Sequence, residues 1–258
     1  MRSIWFAHVL FEACRFDVCT FFTLRLNEKG KEKCKPYWPL KKKDDEDGLP
    51  ISTTFGNFSV TQQASEPGAS FIRRVLVVQN TTADGGTNTP RRVIQLQMTH
   101  WEDFNAPRKD DFHAFLQQYY DDLEKMNANS RVPVLVHCSA GVGRTGTFIA
   151  ADILARYIRG HFENAKQDGK FEPLDAEGAP EGEPVYANLS PLGTAFLLKN
   201  RETLNKTSSV VDVFRTVLWL RSQRRLFVQQ DTQYIFLYDF LSYYIRRFTG
   251  EEGRFLAF

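Results

Sequence analysis

The sequence predicts an α/β fold, with a twisted mixed central sheet flanked by helices. Short apolar stretches with strand-like patterning occur along the same chain as longer stretches of helical spacing. One apolar stretch leads directly into a glycine-rich turn and then into a helical pattern, which is typical of an α/β unit. Hydrophobic residues are 42% and aromatic residues 14% of the 258 residues, which favours a sizeable core.

The first half of the chain is predicted to supply most of the strands. Residues 4–14 have the pattern of a helix, and residues 16–26 have that of an apolar strand. Three further strands are predicted at 53–61, 71–79 and 92–98, with a turn at 84–88. In the last strand Gln95 and Gln97 alternate with apolar residues, which is the period-two pattern of a half-exposed strand.

Apolar residues at helical spacing predict four further helices. They are Phe112, Phe115, Leu116, Tyr119, Leu123 and Met126; Phe148, Ile149, Ile153, Leu154, Tyr157 and Ile158; Val213, Val217 and Leu220; and Leu237, Phe240, Leu241, Tyr244 and Ile245. Residues 164–184 lack this pattern and are rich in Gly, Pro, Glu and Asp, as in a flexible insertion. We therefore expect one domain over residues 1–250, with an insertion at 161–209 and a tail at 251–258.

The ten residues at 137–146, HCSAGVGRTG, carry the strongest functional signal. An apolar strand at 132–136 precedes them and a helix follows. The backbone N–H groups of such a turn converge, and the helix dipole adds partial positive charge, which makes an anion-binding cradle. Cys138 at its mouth should be held as a thiolate, a strong nucleophile. Arg144 could then bind two phosphoryl oxygens in a bidentate manner.

Composition limits the cellular location and the classes of binding partner that we expect. The net charge is only +2, from 33 basic and 31 acidic residues, so no nucleic-acid partner and no membrane insertion is expected. The four cysteines, at 14, 19, 34 and 138, have neither disulfide-framework nor metal-site spacing. We expect a cytoplasmic location, because a thiolate nucleophile requires reducing conditions.

The stretch Cys138 to Gly146, Cys-x5-Arg followed by Thr-Gly, resembles the phosphate-binding loop of protein tyrosine phosphatases. Further segments resemble the same family in the same order. Residues 28–39 resemble the loop that carries an acid and a lysine, and residues 101–107 the mobile Trp-Pro-Asp loop. Residues 221–225, followed by 228–234, resemble the glutamine loop. The resemblance implies this family's fold, with the phosphate loop between a strand and a helix.

The resemblance also implies the first chemical step. Cys138 would attack phosphorus and form a phosphocysteine, while Asp103 gives a proton to the departing phenolate. Arg144 and the loop N–H groups would hold the phosphoryl oxygens. The residues expected to bind substrate are Ser139, Ala140, Gly141, Val142, Gly143, Arg144 and Gln233.

In the second step Gln229, favoured over Gln230 by register, would orient a water molecule. Asp103 would take the proton of that water, and Thr145 would hydrogen-bond the sulfur and ease its release. Supporting roles are implied for Glu28 paired with Arg144, for Lys33 near Asp103, and for His137 as a structural hydrogen-bonding residue. No metal or other cofactor is expected.

Two departures from the family pattern bear on activity. Glu102 stands where the family has proline, which loosens the backbone before Asp103. No segment resembles the family's N-terminal stretch with its ring-stacking aromatic residue, so the sequence predicts a catalytic domain shortened at its front.

Three functions therefore stay open at this point. The first is an active phosphatase that acts on phosphotyrosine in proteins, with a role in signal transduction. The second is a phosphotyrosine-binding regulatory module of the same fold with negligible turnover. The third is a dual-specificity or lipid phosphatase, which the segments at 101–107 and 229–233 disfavour.

Overall fold

The computed structural model describes residues 18–23, 27–28, 30–32, 35–40, 50–82, 89–126, 134–167 and 211–249. The chain divides into two compact units, Met1–Gly141 and Val142–Phe258. Among the described residues, the first unit contains eight strands and one helix, and the second contains three helices. The predicted helix at 4–14, the turn at 84–88 and most of the predicted insertion lie outside the described residues.

The first unit is built on a mixed sheet, as the sequence predicts. Its strands are β1 (Val18–Thr23), β2 (Asn27–Glu28), β3 (Lys31–Glu32), β4 (Ile51–Phe55), β5 (Phe58–Pro67), β6 (Phe71–Asn80), β7 (Arg91–Met98) and β8 (Val134–Val136). Six of them form one sheet in the order β4-β5-β6-β7-β1-β8, and β2 and β3 form a separate pair. The strands from β4 to β7 pair antiparallel, whereas β1 runs parallel to both β7 and β8.

The parallel strands set the location of three loops. Phe22 of β1 pairs with Leu96 of β7 on one side and with Val136 of β8 on the other. The carboxyl ends of these three strands therefore lie at the same edge of the sheet. In sheets with parallel strands this edge is where ligands bind. It is also the edge from which residues 99–107, the β2–β3 pair and the phosphate-loop motif continue.

The predicted strand at 53–61 is wrong, because the chain reverses within it. β4 ends at Phe55, β5 begins at Phe58, and these two residues pair across the turn. Gly56 adopts a φ of 61°, which glycine reaches without the steric cost of a side chain. A Gly-Asn pair between two apolar stretches is a hairpin signal, so the sequence does contain the cue. The strands predicted at 16–26, 71–79 and 92–98 are confirmed as β1, β6 and β7.

The half-exposed pattern predicted for β7 is also wrong, because both of its faces are buried. Gln95 is fully buried and Gln97 is 6% exposed. Both amide oxygens accept hydrogen bonds from Nη1 of Arg74 on β6, at 2.9 and 2.8 Å, and the Arg74 guanidinium lies over the ring of Trp38. Burial lowers the pKa of Arg74 to about 10, so it stays charged at neutral pH. The two amide oxygens are satisfied by Arg74, whereas Nε2 of Gln95 has no hydrogen-bond partner among the described residues.

Helix α1 (Lys109–Lys125) packs against β7 and buries the face that the sequence predicts, together with one charged residue. Asp122 is fully buried and accepts hydrogen bonds from Nε of Arg73 at 2.9 and 3.0 Å. A buried carboxylate requires such a partner, and this charge-assisted pair ties the helix to β6. Leu123 and Met126 are only half-buried.

The second unit contains α2 (Gly143–Gln167), α3 (Val213–Gln223) and α4 (Asp231–Thr249), and α2 packs against both other helices. The apolar residues predicted for α3 and α4 are all buried. Asp212 caps α3 by accepting a hydrogen bond from the backbone N–H of Arg215 at 2.8 Å. Helix α2 continues to Gln167, seven residues into the stretch predicted as an insertion.

Candidate phosphate-binding site

Cys138 follows β8 in the first unit, and the turn after it aims a backbone N–H at its sulfur. The N–H of Gly141 donates to the Cys138 sulfur at 3.1 Å. Gly141 adopts a φ of 70°, in the left-handed region that favours glycine, so the chain can turn sharply just after the N–H that donates to Cys138. Cys138 is a half-buried free thiol. This hydrogen bond fixes the position of the sulfur beside the turn, and the thiolate nucleophile stays a prediction of the sequence motif.

His137 supports this turn through two hydrogen bonds. The carbonyl oxygen of Cys138 can only accept, so Nδ1 of His137 carries the proton and donates it at 3.2 Å. Nε2 then accepts from the hydroxyl of Tyr37 at 3.0 Å. Burial lowers the pKa of His137 to about 4, although the hydrogen bond to the Cys138 backbone opposes this shift. A neutral imidazole with a hydrogen bond at each ring nitrogen is consistent with the structural role predicted for His137.

Acid should destabilise the fold through His137. The unfolded chain takes up a proton near the ordinary pKa of 6.5, whereas the folded chain keeps this imidazole neutral down to about 4. The unfolded state therefore binds more protons between these values. The free energy of unfolding should fall by about 1.4 kcal/mol per pH unit there, or roughly 3 kcal/mol in total. Denaturant-induced unfolding measured in steps of pH tests this prediction.

Two variants isolate the contribution of His137. His137→Gln removes the titrating group, so its free energy of unfolding should depend less steeply on pH than that of the parent chain. His100 is exposed, and His100→Gln is the matched control, which should keep the slope of the parent. Equal slopes for the parent and His137→Gln would contradict the lowered pKa.

In the second unit the loop continues directly into the start of α2. Arg144 lies in the first helical turn and is only 1% exposed, and Thr145 is 4% exposed. The Thr145 hydroxyl has no hydrogen-bond partner among the described residues. The first turn contains no acidic residue, so the positive end of the helix dipole is not neutralised from within the helix. These features suit an anion.

Gln229 and Gln233 approach this helix start within the second unit. A Cβ added at Gly143 would lie 3.2 Å from the amide of Gln233 and 3.4 Å from Oε1 of Gln229. The side chain of Gln233 is buried, and its Oε1 accepts hydrogen bonds from the backbone N–H groups of Gln229 and Gln230 at 3.1 and 3.2 Å. Glycine at 143 thus allows both glutamines to lie against the loop.

Asp103 lies half-buried in the turn after β7. Trp101 anchors this turn by donating its indole N–H to the carbonyl of Asn105 at 2.7 Å. Asn105 donates in turn to the backbone and the carboxylate of Glu102, each at 3.4 Å. Glu102, which stands where the family has proline, is thus held by two long hydrogen bonds and not by the rigid ring of a proline. Phe104 adopts a φ of 64° and is exposed, which adds strain at the residue after Asp103.

The structure places the predicted site residues in two groups. In the first unit, Asp103, Glu28 and Cys138 lie on segments that leave the same edge of the sheet. In the second unit, Arg144, Gln229 and Gln233 lie near the start of α2, and the chain joins the groups between Gly141 and Val142. The side chain of Glu28, and Lys33 altogether, lie outside what the structure describes.

Sequence reasoning assigned no role to Tyr37, whose hydroxyl bonds His137 from 100 residues away. Its only sequence cue is its place in Tyr37-Trp38-Pro39. The described residues also hold no group of three or more His, Cys, Asp or Glu that could bind a metal ion.

Comparison with known proteins identifies the class. The family model described as protein-tyrosine phosphatase matches residues 18–167 and 193–243, on both units and across the whole phosphate-loop motif. Together with the mixed sheet and the strand–turn–helix at Cys138, this match shows that the chain belongs to the protein-tyrosine phosphatase family. The unmatched interval, 168–192, falls within the predicted insertion.

Individual relatives agree with this assignment. The chain is 29% identical to tyrosine-protein phosphatase 69D of Drosophila melanogaster over 92% of its own length and 12% of that protein. It is 31% identical to receptor-type tyrosine-protein phosphatase V of Rattus norvegicus over 83% of its length and 9% of that protein. It thus spans about a tenth of the length of these relatives. Within its described residues, no helix is long and apolar enough to cross a membrane.

Proposed function

We propose that this chain is a protein tyrosine phosphatase that hydrolyses phosphotyrosine in proteins through a phosphocysteine intermediate. The observation that supports it most directly is the Gly141 N–H donated to the Cys138 sulfur, within a Cys-x5-Arg loop that leads into a helix. The proposal includes a role in signal transduction and a reducing, cytoplasmic environment for the thiolate.

In the first step the Cys138 sulfur forms a bond to phosphorus as the bond from phosphorus to the tyrosine oxygen breaks. Asp103 gives its proton to that oxygen, because a phenolate is a poor leaving group. Arg144 and the N–H groups of residues 139–144 hold the three remaining oxygens, whose charge is spread in the transition state. The proposal assigns the orientation of the Arg144 guanidinium to Glu28 and a supporting role to Lys33, as the family resemblance implies.

In the second step a water oxygen bonds to phosphorus as the phosphorus–sulfur bond breaks. Gln229 orients the water, Asp103 accepts its proton, and the sulfur leaves as a thiolate. Thr145 donates a hydrogen bond to the departing sulfur. Its buried hydroxyl has no partner among the described residues, which supports this role because such a group favours a new acceptor. No metal enters either step.

A second function, that of a phosphotyrosine-binding regulatory module, is favoured by the turn around Asp103. Glu102 replaces a proline that restricts this backbone in the family, and the hydrogen bonds that tie Glu102 are long. A loop that brings its acid into place less often would bind substrate but turn it over slowly.

One peptide sequence prepared with phosphotyrosine, phosphoserine or phosphothreonine separates these functions. We expect phosphate release from the phosphotyrosine peptide alone, with inhibition by vanadate, which mimics the phosphoryl group in transfer. Binding of the phosphotyrosine peptide without phosphate release would favour the regulatory module. Comparable release from the phosphoserine peptide would indicate a dual-specificity enzyme and contradict the proposal.

A further inference from the structure

The segment between α3 and α4 has an unusual backbone. Leu226 and Val228 adopt φ values of 71° and 57°. Residues with side chains rarely occupy this region, and a β-branched residue such as Val228 is a clear outlier there. Such conformations cost free energy and persist only where neighbouring contacts enforce them. The residue that follows Val228 is Gln229.

Arg221, in the last turn of α3, supplies such contacts. Its Nε donates to the carbonyl of Phe227 at 3.0 Å, and its Nη2 donates to the carbonyl of Val228 at 2.8 Å. One planar guanidinium thus binds two successive carbonyls, which fixes the two peptide planes on either side of the Val228 Cα and so its backbone conformation. Both hydrogen bonds are charge-assisted, and no acidic residue competes for Arg221 within the described part of the chain.

The clamped backbone lies directly against the start of α2. The N–H of Val228 donates to the carbonyl of Val142 at 3.2 Å, and this carbonyl also accepts from Gly146 at 3.0 Å. A Cβ at Gly146 would lie 2.6 Å from the Val228 nitrogen, so only glycine permits this approach. These contacts therefore fix the position of Val228 relative to the start of α2, where the phosphoryl group is proposed to bind.

Gln229 takes its place from these contacts. Its backbone N–H is held by Gln233, and its Oε1 lies beside Gly143. If the Arg221 clamp is lost, Leu226 and Val228 can relax toward ordinary φ values. A change of φ at Val228 rotates everything that follows it, beginning with the Gln229 side chain.

We propose that Arg221 is a positioning residue for Gln229 and controls the second step, the hydrolysis of the phosphocysteine. This inference rests on the proposed function. Arg221 contacts neither the water nor the phosphorus. It acts on the main chain from which Gln229 extends, so the attack by Cys138 in the first step should be largely unaffected by its loss.

The experiment uses p-nitrophenyl phosphate with the full chain under rapid mixing. Formation of p-nitrophenolate in the first turnover reports the first step, and the steady-state rate reports the second. Arg221→Met should lower the steady-state rate about 10–100-fold, because displacing a positioned group by about an ångström has effects of this size. The initial burst should stay near one equivalent. Arg221→Lys keeps the positive charge but lacks the planar guanidinium that donates to both carbonyls. Its steady-state rate should therefore lie between those of the parent and Arg221→Met.

An alcohol added as a competing acceptor gives a readout that general destabilisation does not change. Disordered water placement should raise the ratio of alkyl phosphate to inorganic phosphate for Arg221→Met. Adding Gln229→Ala to Arg221→Met should change the rate little more, since both remove the same function. Arg225 is exposed with no interaction among the described residues, so Arg225→Met is the matched control and should behave as the parent.

Three outcomes decide the matter. A slow second step with a full burst in Arg221→Met and a parental Arg225→Met would support the inference. A parental burst, rate and acceptor ratio in both Arg221 variants would overturn it while leaving the proposed function intact. Absence of turnover in the parent and in Arg225→Met would instead overturn the proposed function, and the inference with it.

Discussion

Replacing Cys138 by serine should reduce hydrolysis of phosphotyrosine peptides by about 10⁴-fold or more, because a hydroxyl is not ionised at neutral pH and cannot replace the thiolate as nucleophile. The serine oxygen is smaller than sulfur and leaves the N–H groups of the loop, such as that of Gly141, in place to bind the phosphoryl group. Binding of the phosphotyrosine peptide should therefore be retained. Rate measurements and calorimetric titration of the same preparation test both halves of this prediction.

The hydrolysis rate and the binding of the phosphotyrosine peptide must be interpreted together. Loss of activity with retained binding assigns the chemistry to the sulfur of Cys138, and loss of both would show that the substitution has disturbed the loop. A rate within tenfold of the parent would contradict the nucleophilic role. Cys138→Ala is a useful second variant, because it also removes the nucleophile but leaves no polar atom at this position.

The part of the site that sequence predicts best is local. Strand β8, the turn at Gly141 and the start of α2 fall within about a dozen residues, so one motif carries all the information needed to place Cys138 at the end of a strand and Arg144 in a helical turn. The fold class was predictable for the same reason, because the local periodicity of apolar residues indicates most helices and strands.

The features that sequence reasoning missed depend on distant partners. The burial of Gln95 and Gln97 depends on Arg74, which stands on the neighbouring strand. The imidazole of His137 is fixed by a tyrosine 100 residues away. The role of Arg221 was missed for another reason, because its partners are main-chain carbonyls only six and seven residues away and such acceptors have no residue-type signature. The hairpin at Gly56 was different, because its cue is local but lies inside a stretch that has the composition of a single strand.

In the proposed function, the nucleophile and the acid belong to the first unit, and the glutamine of the second step belongs to the second unit. The residues implied in forming the phosphocysteine and in protonating the leaving phenolate, Cys138 and Asp103, follow strands of one sheet. The glutamine implied in hydrolysing it, Gln229, belongs to the helical unit and is held by contacts within that unit. Substitutions between α3 and α4 should therefore affect mainly the second step, whereas substitution of Asp103, which is proposed to act in both steps, should affect both.

In the proposed function, the difference between an active enzyme and a regulatory module depends on Asp103. Asp103→Asn keeps the shape of the side chain but removes the acid, and it should slow hydrolysis of phosphotyrosine peptides by about 10²–10⁴-fold. Tyrosine needs this proton because its phenol has a pKa of about 10. The phenolate of p-nitrophenyl phosphate leaves readily as an anion, so its release in the first turnover should be affected much less. First-turnover rates of both substrates are compared for the same enzyme preparations, because the second step uses Asp103 with either substrate.

Glu102→Gln is the matched control, because it neutralises the adjacent exposed carboxylate without removing the hydrogen bond that Asn105 can donate. It should leave the ratio of the two rates as in the parent. If Asp103→Asn slows both substrates equally, Asp103 is not the acid, and the effect comes from disturbing the turn between Trp101 and Asn105. If it changes neither rate, the loop does not place Asp103 for proton transfer. The exposed, strained Phe104 and the missing proline at 102 would then favour the regulatory module.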